Sequence, residues 1–204
     1  MKRRRAHTFL AGAGSRLLPA SIPFRFFGAA CVYHVLAWLA LAADADALPR
    51  FAGGLGWPLA ALHLLTLGVL VMTAIGASLQ LLPVATRQPI RAPRVLAAVW
   101  WLYTPAVALL AIGMGTGRGW LLATGAAGIA TALAAYGVLL AGNLRGAKGM
   151  PAVVAHGWVA LASLAILLAS ALSLAFAYVG APVLARAAAL ALHVTFASFG
   201  FMGM

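Results

Sequence analysis

Histidine is the side chain through which this sequence could do chemistry. Of its five histidines, His34, His63, His156 and His193 fall in or beside long apolar runs, and His7 lies near the N-terminus. Imidazole ligates haem iron, copper and zinc. An ionisable group in hydrocarbon costs at least a few kcal/mol, so it normally faces protein, water or a ligand. The structural alternative for each ring is a neutral imidazole hydrogen-bonded to a carbonyl of a neighbouring helix.

The remaining repertoire is narrow. The only acids are Asp44 and Asp46, and neither lies in an apolar run. There is thus no intramembrane carboxylate proton path and no carboxylate metal cage, and Ser and His have no acid partner for triad hydrolysis. No phosphate-binding loop, CxxC or CxxCH occurs. Cys31 is the only cysteine, so no intramolecular disulfide forms. These residues assign no enzymatic reaction to the chain, and catalysis by this chain alone is not expected.

The elements that must position the histidines are apolar helices. The 204 residues are 65% hydrophobic and 8% charged, with a mean hydropathy of +1.04, outside the range of soluble domains. About twenty apolar residues cross a bilayer core of about 30 Å as a helix. On that basis the chain is all-α: residues 1–21 form a basic cytoplasmic tail, and residues 22–204 form a six-helix transmembrane domain. The spans are expected at about 22–43, 57–85, 95–116, 119–141, 152–179 and 184–204. Breakers separate them, among them Gly53-Gly54, Gln88-Pro89, Gly115-Thr-Gly117, Gly142-Asn143 and Gly180-Ala-Pro182.

A net charge of +12 is read as topology and not as nucleic-acid binding. With the N-terminus inside, eleven basic residues collect on the inner side, including Arg87, Arg91, Arg94, Arg145 and Lys148. Only Arg50, Arg118 and Arg186 fall outside, together with both acids. The expected location is a bacterial inner membrane, crossed several times. The direction fixes depth. His63 lies roughly 9 Å below Trp57 along its helix, and His193 and His34 lie roughly 13 Å below their outer helix ends. Three histidines from three helices therefore share the outer half of the bilayer, as bundle-core cofactor sites require. His156 sits near the inner end of the fifth span, too far away to join them. Around the second span, Thr66, Leu70, Thr73, Ala77 and Gln80 form a stripe at 100° per residue, with His63 at its edge. In the fourth span Ala127, Thr131 and Ala135 recur every fourth residue, the small-residue spacing expected to lead packing against the third.

His63 opens the run HLLTLGVLVMTAIGASLQLLPV, and His193 opens HVTFASFGFMGM. With the IPFRFF of residues 22–27, these resemble the histidine-bearing spans of bacterial membrane proteins similar to NnrS and, more remotely, of subunit I of haem–copper oxidases. The resemblance implies a haem- or copper-binding fold linked to respiration or nitric oxide handling. It also implies that His63 takes the place of a haem ligand and His193 that of a copper ligand. The sequence departs from the oxidase pattern: no adjacent histidine pair is present, and no tyrosine stands next to His193. Members are commonly longer, so the chain is expected to correspond to an N-terminal half or a shortened relative.

Three functions remain in competition. The first is a haem- or metal-binding membrane protein with His63 and His193 as ligands and His34 as a third candidate, haem being preferred to copper. The second is a cofactor-free carrier whose histidines line a polar path. The third is an assembly or scaffold protein with structural histidines. The expected partners are the lipid bilayer, a haem or metal, and either a partner membrane chain or further copies of this one; nucleic acid is not among them.

Overall fold

The computed structural model describes residues 12, 14–90 and 92–203. The basic tail over residues 1–11, with His7, and the inner placement of Arg91 lie outside the described residues. Among the described residues there is no strand, and six apolar helices follow one another, with a short 3-10 helix (Ala45–Arg50) after the first: α1 (Ser21–Ala43), α2 (Trp57–Ala85), α3 (Pro93–Thr116), α4 (Gly119–Arg145), α5 (Pro151–Ala177) and α6 (Arg186–Phe201). The first five are long and apolar enough to cross a membrane. The chain is therefore a multi-pass helical bundle suited to a lipid bilayer.

The sixth expected span is shorter than the sequence implied. It has ten α-helical residues, Arg186–Thr195, and then six in a π-helix, Phe196–Phe201. At about 1.5 Å per residue this falls short of a 30 Å core. Arg186 starts it late, and the preceding turn is fixed by Ser173, whose hydroxyl accepts the backbone N–H groups of Val183 at 3.3 Å and Leu184 at 2.8 Å. The fourth span is longer than expected. Gly142-Asn143 does not break α4, because Asn143 is buried and donates from Nδ2 to the Gln88 carbonyl at 2.8 Å.

The helices meet through glycine. Lipid tails are as apolar as leucine, so association in a membrane depends on close approach. A Cβ on Gly113 would lie 2.4 Å from the Leu122 backbone nitrogen, and one on Gly125 would lie 2.4 Å from that of Leu110. These two glycines, with Gly128 against Ala106, lead the α3–α4 hairpin. The alanine stripe does not: Thr131 is exposed and bonds back to Ala127 of its own helix. Gly117 closes α3 in the left-handed region (φ 68°) and lets the chain reverse into α4.

The core centres on α1, α2 and α3, which pack mutually. Phe26, Met72, Leu79, Leu96 and Tyr103 are each fully buried. From this trio the bundle extends in sequence, α4 on α3, α5 on α4 and α6 on α5. Large apolar side chains such as Trp101, Val138 and Phe199 point outward, as lipid-facing surfaces require.

Candidate paired-histidine site

His63 ends the first α-helical part of α2, and Leu64–Val71 continues as a π-helix before regular α-helix resumes at Met72. A π-turn carries an extra residue and leaves carbonyls short of partners; such segments are frequent at functional sites. Here one π-segment carbonyl is met from outside, and a side chain of the segment bonds back along its own helix. The buried Tyr103 hydroxyl donates to the Leu67 carbonyl at 3.1 Å, and Thr66 donates to the Leu62 carbonyl at 2.9 Å. Gly68 lets Tyr33 of α1 come close: a Cβ there would lie 2.6 Å from the tyrosine Cβ. Tyr33 in turn donates to the Thr104 carbonyl, which ties α1, α2 and α3 together beside the histidine.

His193 is placed by other means. Ala189, one turn earlier, is fully buried, and Gly200 sits where a Cβ would meet Ser163 of α5 at 2.7 Å. Three residues beyond His193 the helix again becomes π, from Phe196 to Phe201. Each of the two histidines thus lies within three residues of the start of a π-helical segment.

The two rings come together. Their centres are 6.2 Å apart and their planes are inclined by 18°. The near-parallel rings form a stacked pair. The nitrogens differ in how they are occupied. His63 Nδ1 donates to the Leu59 carbonyl at 2.9 Å, so in the neutral ring Nε2 keeps its lone pair. A backbone carbonyl holding the distal nitrogen is the usual arrangement around a ligating histidine. His193 Nδ1 is buried with no hydrogen-bond partner. His156, by contrast, turns its Nδ1 onto the Ala152 carbonyl four residues earlier at 2.8 Å, as His63 does onto Leu59. Leaving a buried polar atom unpaired costs about 1–3 kcal/mol, so the His193 ring is in want of a partner.

The other sequence candidates are elsewhere. His34 lies on the exposed face of α1, where Nε2 accepts the Trp38 indole N–H at 3.0 Å. Its depth matched that of the pair, but its face does not. His156 is exposed near the start of α5, apart from the pair as expected. The stripe following His63 does not stay on one face: Leu70 and Thr73 are exposed, whereas Thr66, Ala77 and Gln80 are half-buried. Among the described residues no group of three or more His, Cys, Asp or Glu side chains is placed to hold a metal ion. Tyr33 and Tyr103, which pin the π-turn, were not singled out from the sequence; their spacing from Gly68 carries no local signal.

Compared with models of protein families, with curated proteins and with solved structures, the chain gives no match.

Proposed function

We propose that this multi-pass chain is a haem-binding protein of a bacterial inner membrane, in which His63 and His193 are the residues that would hold the haem. The observation that carries the reading is the ring pair: centres 6.2 Å apart, planes 18° apart, and one buried nitrogen unpartnered. Ligand count favours haem over a bare ion. Structural zinc takes four protein ligands and catalytic zinc three, and copper centres draw on further histidine, cysteine or methionine ligands. Haem iron asks the protein for axial ligands only, and two histidines meet that need.

Bound haem supplies one-electron chemistry. The chain's part is to hold and orient. Leu59 fixes the His63 tautomer, and Tyr103 donates into the π-turn that follows. The resemblance of the His63 run to NnrS-like proteins and to oxidase subunit I also supports a haem ligand there, although it places His193 as a copper ligand; respiration or nitric oxide handling is the process it suggests. The eleven-to-three charge bias supports a cytoplasmic N-terminus.

A cofactor-free carrier or scaffold is the second reading, and one observation favours it: the His63–Leu59 bond is also what a purely structural histidine makes. The visible spectrum of the detergent-purified protein, supplied with haem, separates the two. A Soret band is expected, shifted or abolished in His63→Ala and in His193→Ala and unchanged in His34→Ala. A colourless protein, or a His63→Ala spectrum identical to the parent, overturns the haem reading. For orientation, single cysteines at Ala47 and Ala147 should label from opposite sides; labelling from the same side defeats the topology.

A further inference from the structure

We propose that the cleft where α2 ends and α5 begins is a binding site for the phosphate headgroup of an anionic phospholipid. The cleft has a volume of about 610 Å³ and opens outward. Two cations from different segments line it, Arg87 and Lys148, with Met150, Val154 and Ala155 forming an apolar wall. Neither cation has an ion-pair partner among the described residues. The only acids, Asp44 and Asp46, precede α2, whereas Arg87 follows it, so they lie at the opposite end of a 29-residue helix.

The cations are held on a firm frame. The Lys148 N–H donates to the Thr86 carbonyl at 2.8 Å, and a Cβ on Gly149 would lie 2.4 Å from the Ala85 carbonyl oxygen. Thr86 itself is fully buried. Arg87 takes φ 56°, a left-handed conformation uncommon outside glycine and kept here by the surrounding contacts. α5 begins in the same cleft with no side-chain cap, which adds the positive end of its dipole. Paired positive charge beside an apolar wall at the end of a membrane bundle matches a lipid that carries both phosphate and acyl chain. Free phosphate would use the charges but not Met150, Val154 and Ala155.

Native mass spectrometry of the purified chain tests this with phosphatidylglycerol, phosphatidylethanolamine and inorganic phosphate as probes. Phosphatidylglycerol should be retained about tenfold better than phosphatidylethanolamine. The preference should vanish in Arg87→Gln/Lys148→Gln and persist in Arg118→Gln, which alters an exposed cation at the other end. Equal retention of the two lipids, an unchanged preference in the double variant, or its loss in Arg118→Gln overturns the proposal. Binding of inorganic phosphate without lipid preference also overturns it, in favour of a free anion. Should the double variant not fold, Lys148→Gln alone must lower the preference, because that side chain is exposed and bears no packing.

Discussion

α2 and α6 each present one histidine of the pair, and they are held in different ways. α2 is embedded: α1 and α3 pack along it, Tyr33 fits over Gly68, and Tyr103 reaches the Leu67 carbonyl. α6 packs chiefly on α5, with Gly200 against Ser163, meets α2 at the His193–His63 pair, and leaves Leu190, Val194 and Phe199 exposed. One histidine therefore stands on a rigid wall and the other on a helix docked by a single face. The difference implies that damage around His63 should register as lost stability. Damage around His193 should register as a lost site in a protein that still folds.

Substitutions can break or sharpen that contrast. The largest effect is expected for Gly68→Val, whose side chain would collide with Tyr33 in the centre of the bundle. It should cost about 3 kcal/mol, seen as a steep fall in thermal stability in detergent; an unchanged melting temperature would mean that α2 is not the rigid partner. Gly200→Val should cost about 1 kcal/mol, because Ser163 and a singly docked helix can yield. Its signature is a displaced His193 in a folded protein and, on the proposed function, a weakened haem spectrum. If Gly200→Val unfolds the protein as Gly68→Val does, the contrast between the helices fails.

Smaller effects refine the picture. Tyr103→Phe removes one buried hydrogen bond and should lower stability by about 1 kcal/mol, with a spectral shift because the π-turn beside His63 loses its outside donor. No change in either would detach Tyr103 from the site. Thr131→Leu is expected to stay within about 0.5 kcal/mol of the parent, since Thr131 is exposed and bonds only to its own helix. A large loss there would restore the alanine stripe as a packing surface.

Depth was legible in the sequence, whereas angle about the helix axis was not. Hydropathy marks where a helix enters and leaves hydrocarbon, so α1, α2 and α3 begin and end within about two residues of expectation. Depth follows from rise alone, and it brought His63 and His193 to one level. Depth says nothing of direction, which is why His34 shared the level and still faces outward. The stripe beyond His63 was laid out at 100° per residue, an angle that the π-turn over Leu64–Val71 interrupts by adding a residue to the turn. The hairpin contact was misassigned for a related reason. Alanine and glycine are both small, but only the absence of a Cβ admits a backbone atom at 2.4 Å, as at Gly113 and Gly125. The hairpin partners themselves, α3 and α4, followed from the short turn at Gly117.

The single-faced docking of α6 has a consequence for biogenesis. Chains emerge from the ribosome N-terminus first, so α1, α2 and α3 have left it well before residues 186–201 are made. His63 is then already seated on its π-turn while its counterpart has not been translated. The pair is completed by the late arrival of one short helix on the flank of α5, beside a bundle that has already formed. On the proposed function, a haem held by both rings would be loaded only after residues 186–201 have been made and α6 has docked.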